Sequence, residues 1–120
     1  MNNSNVIDDL YKLIIERKNS QNNNDNNDNS YTCYLFKEGL NKILKKIGEE
    51  SSETIIAAKD AKANNGGKEL VIGEVADLIY HLLVMLADLD ISFEEVEDEL
   101  KKRSEKMGNL KQQKVVDKNT

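Results

Sequence analysis

Between Val71 and Leu89 the only side chains charged or potentially charged near neutral pH are Glu74, Asp77, His81 and Asp88; nearly every other position is apolar. A helix apolar almost all round must be buried on most of its sides. Three other helices from one short chain, one of them tethered by a polar linker, would not cover it. A second subunit is therefore expected, giving a helical homodimer or larger assembly with this segment near its centre.

The rest of the chain agrees with helices packed on helices. Its 120 residues suit one domain, it has no proline, and only 5% of it is aromatic. That composition disfavours a sandwich of short strands and makes an all-α antiparallel helical bundle the expected fold. Val6, Ile7, Leu10, Leu13 and Ile14 share one face of a first helix over residues 5–18, with Ser4 as its N-cap. From Asn19 to residue 29 the Asn-rich composition reads as a flexible linker. A second helical pattern runs from Tyr31 to Asp60, with Gly39 a candidate break, and Asn64–Gly67 forms a turn. The apolar third helix covers Lys68 to Asp88. Ser92 and Glu95 form a capping-box pattern that opens a fourth helix. On this reading the domain spans residues 1–107, and 108–120 form a flexible polar tail.

Charge and composition exclude several functions. The net charge is −5 and the lysines are interspersed with acids, so no basic stripe is available for nucleic acid. Cys33 is the only cysteine and His81 the only histidine, which rules out a disulfide or a Cys/His zinc site within one chain. Residues 75–89 read as too short for a bilayer span, and no leader is visible; a soluble, cytoplasmic protein with no membrane partner is expected.

Two acidic pairs carry the chemistry. Glu50 and Glu53 stand three apart on the second helix, with Glu49 on an adjoining line, and Glu74 and Asp77 repeat that spacing on the third. The turn between them lets the third helix return antiparallel, so four carboxylates can line one cleft. Such a cleft is unfavourable unless a cation neutralises it, and an all-oxygen donor set suits magnesium. For Glu49, Glu50 and Glu53 taken alone, a solvated acidic face is the simpler explanation. Glu74 and Asp77 interrupt an apolar helix, where unpartnered acids are costly. His81 lies on the same stripe and reads first as a satisfied core histidine. Lys46 either pairs with Glu49 and Glu50 or faces a phosphate. Gly48, costly within a helix, suggests close approach of a ligand or another backbone.

These residues resemble the phosphoribosyl-ATP pyrophosphatase family, within the all-alpha nucleoside triphosphate pyrophosphohydrolases. The resemblance rests on Ser30, Tyr31, Thr32, Leu35, Phe36 and Gly39, on Lys46, Gly48, Glu49, Glu50 and Glu53, and on Ile56 to Lys59. Glu74, Ala76, Asp77, Leu78, Tyr80 and His81 complete it, and it covers about residues 5 to 105. ExxE followed by ExxD is weak alone, whereas the flanking KxGEExxE and EVADLIYHLLV segments are specific. The resemblance implies magnesium-dependent hydrolysis of phosphoribosyl-ATP to phosphoribosyl-AMP and pyrophosphate in histidine biosynthesis. It implies metal binding by Glu50, Glu53, Glu74 and Asp77, with Glu49 as a further ligand or base; Lys46 and Lys59 are candidates for substrate phosphate. A house-cleaning pyrophosphohydrolase of another nucleoside triphosphate, and a non-catalytic helical dimer, are the alternatives.

Overall fold

A computed structural model describes residues 5–22 and 30–109, and every regular element among the described residues is a helix. In chain order they are α1 (Val6–Asn22), α2 (Tyr31–Glu38), α3 (Leu40–Asn64), α4 (Lys68–Asp88) and α5 (Phe93–Asn109). The all-α class expected from composition is therefore observed.

Local chemistry sets the boundaries. Asn5 opens α1: its side chain accepts the Ile7 amide at 2.8 Å and its carbonyl the Asp9 amide at 3.0 Å. Ser4, the expected cap, lies outside the described residues. The helix also runs past Asn19 to Asn22, because extending an existing helix adds a hydrogen bond per residue and outweighs the modest propensities of Asn, Ser and Gln. The expected linker thus loses its first four residues to α1, and residues 23–29 lie outside the described set.

Gly39 splits the second helical pattern into α2 and α3. At φ 96° and ψ 179° it occupies a region essentially reserved for glycine. Its N–H closes α2 on the Leu35 carbonyl at 2.9 Å, while its own carbonyl accepts the Ile43 amide at 3.2 Å and starts α3. Between α3 and α4, Asn65 adopts φ 55° and Gly67 φ 83°, the left-handed turn that the Asn and Gly cluster predicts. At the start of α5 the capping box forms: the Ser92 hydroxyl accepts the Glu95 amide at 3.2 Å, and the Glu95 carboxylate accepts the Ser92 amide at 2.9 Å.

The core gathers Ile14 of α1, Leu35 of α2, Ile43 of α3, and Leu83, Val84 and Ala87 of α4. Two side chains lock α1 across the end of α4. Lys18 donates to the Ala87 carbonyl at 2.7 Å and pairs with Asp90 at 2.8 Å; the Tyr11 hydroxyl donates to the Ile91 carbonyl at 2.6 Å. A lysine placed there also satisfies a terminal helix carbonyl and opposes the negative end of the dipole.

The other end of the molecule is uncovered. Leu70 and Ile72 on α4 are 56% and 60% exposed, and Ile55 and Ile56 on α3 are 64% and 59% exposed. α5 contributes Phe93 to the core periphery and leaves Leu100 and Met107 in water. The radius of gyration is accordingly 17.8 Å, against about 13 Å for a compact domain of 100 residues. α4 has 21 residues and is long and apolar enough to cross a membrane by length and composition, which corrects the expectation of too short a run. Its buried His81, Leu83, Val84 and Ala87 are core positions of this fold.

Candidate active site

The most extensive helix pairing is that of α3 with α4, and it brings the two acidic motifs together. Glu50 comes from the middle of α3, Glu74 and Asp77 from the first half of α4. One carboxylate oxygen from each lies within 4.8 Å of the other two. Glu50 is only 7% exposed. Glu50 Oε1 and Glu74 Oε1 are both buried with no hydrogen-bond donor. Desolvation is the first reason that both carboxyls are pushed above their ordinary range. The charge of Glu53 is the second, followed by Asp77 for Glu50 and by Glu50 for Glu74.

Orphaned carboxylate oxygens converging in this way are what a hard divalent cation satisfies. The donor set is entirely oxygen and fits magnesium, though it does not by itself distinguish one such ion from another.

The remaining sequence candidates divide. Glu53 is exposed and stands outside the group of three, yet its charge acts on both Glu50 and Glu74. Glu49 is exposed and meets Lys46 at 3.3 Å, the i,i+3 ion pair that was one reading of that lysine. Lys59 is exposed and forms no ion pair among the described residues. At Gly48 an added Cβ would meet nothing within 4 Å, so no other backbone of the described residues makes the expected close approach there.

His81 is a satisfied core residue. Its Nδ1 lies 2.8 Å from the Asp77 carbonyl, which can only accept, so Nδ1 carries the proton and Nε2 accepts from the Tyr31 hydroxyl at 2.9 Å. Sequence reasoning missed what surrounds it. Ser30 caps α2 by accepting the Cys33 amide at 3.1 Å, Thr32 bonds the Tyr80 hydroxyl, and Tyr31 lies in a laterally displaced, near-parallel row with Tyr34 and Tyr80, its centroid 6.1 and 6.2 Å from theirs. The available signal was compositional: three of only four tyrosines flank the acidic motifs.

Comparison with known proteins decides the family. The model of the phosphoribosyl-ATP pyrophosphohydrolase family matches residues 7–104. This chain belongs to that family. Among its relatives, the phosphoribosyl-ATP pyrophosphatase of Clostridium botulinum (strain Kyoto / Type A2) is 46% identical, covering 98% of this chain and 99% of the relative. The enzyme of the same name from Clostridium novyi is 43% identical over 92% of both chains. That from Pelotomaculum thermopropionicum is 48% identical over 88% of this chain and 98% of its own. The family match spans the Tyr31 segment and both acidic motifs, and it stops within α5.

Proposed function

We propose that this chain hydrolyses phosphoribosyl-ATP to phosphoribosyl-AMP and pyrophosphate, as a magnesium-dependent step of histidine biosynthesis in the cytoplasm. The family and the names of its relatives support the substrate. The observation that carries the chemistry is that Glu50, Glu74 and Asp77 each offer a carboxylate oxygen within 4.8 Å of the other two, while Glu50 and Glu74 each also keep a buried oxygen with no donor.

Glu50, Glu74 and Asp77 would hold the ion, and Glu53, whose charge already acts on the first two, would complete the set. Magnesium bound there would screen the phosphate chain and lower the pKa of an attacking water. Glu49, exposed on the same helix, would serve as a further ligand or base. Lys46 shares a partly exposed ion pair with Glu49, an interaction worth little, and so is available to a substrate phosphate. Lys59 is the second candidate for that role, one helical turn and more beyond Glu53.

The same reading includes a homodimer. Ile55, Ile56, Leu70 and Ile72 form apolar surface that a single chain leaves in water. An apolar cavity of 330 Å³, lined in part by Ile7, Ile79, Met85, Phe93 and Val96, adds to it. A second copy burying these faces would supply the missing core.

The deciding assay measures pyrophosphate released from phosphoribosyl-ATP and from common nucleoside triphosphates, each with and without magnesium. Selective, magnesium-dependent release from phosphoribosyl-ATP is expected. Preference for another nucleoside triphosphate would make this a house-cleaning enzyme, and no release from any of them would leave a non-catalytic helical protein.

A further inference from the structure

Beside the acidic cluster lies a row of aromatic rings that the hydrolytic chemistry does not use. Tyr31 and Tyr34 sit three apart on α2 with ring centroids 6.1 Å apart, and Tyr31 lies 6.2 Å from Tyr80; both pairs are within 26° of parallel. Tyr31 remains 46% exposed and Tyr34 44%. One end of the row is also fixed in place. Tyr31 is held through His81 to the Asp77 backbone, so the ring takes its position from the helix that carries two of the clustered acids. At the other end, the Lys42 ammonium sits 5.9 Å from the Tyr34 centroid.

Rigid rings left open to solvent cost little entropy when a flat ligand settles on them. Aromatic faces accept a nucleobase in that way with little dependence on its identity. We propose that Tyr31 and Tyr34 form the platform on which an adenine base of the substrate stacks, while its phosphate chain extends toward Glu50, Glu74 and Asp77. This rests on the pyrophosphatase reading for the identity of the nucleotide. It adds a base-binding site to a cluster that by itself recognises only phosphate. Of the two rings Tyr34 is the better probe, because its phenol takes part in no hydrogen bond among the described residues and its loss leaves the His81 contacts alone.

The test uses the full chain. Calorimetric titration compares AMP with ribose 5-phosphate, which lacks the base, and steady-state assays with phosphoribosyl-ATP compare Tyr34→Leu with Tyr34→Phe. AMP is expected to bind at least about tenfold more tightly than ribose 5-phosphate, and Tyr34→Leu to abolish that difference. Tyr34→Leu should also raise KM about tenfold with a smaller change in kcat, and Tyr34→Phe, which keeps the ring, should recover most of that loss. Equal binding of the two ligands to the wild-type chain, or an unchanged KM in Tyr34→Leu, overturns the platform. So does a change of oligomeric mass in Tyr34→Leu, which would assign the ring to a subunit contact. A wild-type chain that prefers AMP but releases no pyrophosphate from phosphoribosyl-ATP would refute the activity and leave the platform standing.

Discussion

The carboxylates of Glu50 and Glu74 meet across the contact of α3 with α4, each with a buried oxygen that no donor reaches. Two acids held this way raise the free energy of the folded chain unless a cation or a proton intervenes. That conflict makes the site testable in both activity and stability.

Glu50→Gln keeps the shape of the side chain and removes its charge. Magnesium-dependent pyrophosphate release is expected to fall by at least about 100-fold, and Asp77→Asn should behave alike. Activity and magnesium affinity that survived both changes would remove these residues from the metal site.

Stability should depend on pH in a direction set by the raised carboxyls. Both Glu50 and Glu74 sit above the ordinary value of 4.5, first because of burial and then because of Glu53. The folded chain therefore binds protons more tightly than the unfolded one. The contribution of this pair is fully present below the unfolded value and is lost as pH rises through the raised folded values. Melting curves in chelator should show Tm falling from about pH 4.5 toward neutrality through this pair. Magnesium at neutral pH should restore the loss. Without metal at neutral pH, Glu50→Gln should raise Tm by roughly 3 °C and flatten the profile. A variant whose profile matched the wild type would argue against this origin.

Ile72, 60% exposed on α4, tests the second subunit. Ile72→Glu places a charge on the apolar face without disturbing the core of the single chain. Sedimentation should find the wild type at a multiple of 13.6 kDa and the variant shifted toward 13.6 kDa. A wild-type chain already at that mass would contradict the dimer.

Gly39 joins α2 to α3 at φ 96°, and an added Cβ would meet nothing within 4 Å. Any loss in Gly39→Ala is then backbone strain, expected at about 1–3 kcal/mol in urea unfolding. A neutral substitution would mean that the junction relaxes freely.

The sequence by itself determined the helices, the turn after Asn64, the capping box at Ser92 and the two acidic steps, because caps, glycine conformations and periodicity are properties of neighbouring residues. It misjudged how far α1 runs, since the composition of residues 19–22 marks a weak helix former and not a barrier to extension. Periodicity places Glu49, Glu50 and Glu53 near one face, but it does not say which of them another helix will bury. Only the packing of α3 on α4 decided that Glu50 is enclosed beside Glu74 and Asp77, while Glu49 stays outside with Lys46 and Glu53 acts from the solvent side. The Tyr31 hydroxyl on His81, the Thr32 contact with Tyr80 and the approach of Tyr31 to Tyr80 were likewise set by contacts between segments some fifty residues apart. Desolvation and partner choice depend on what arrives from elsewhere in the chain, and that information exists only once the helices have docked.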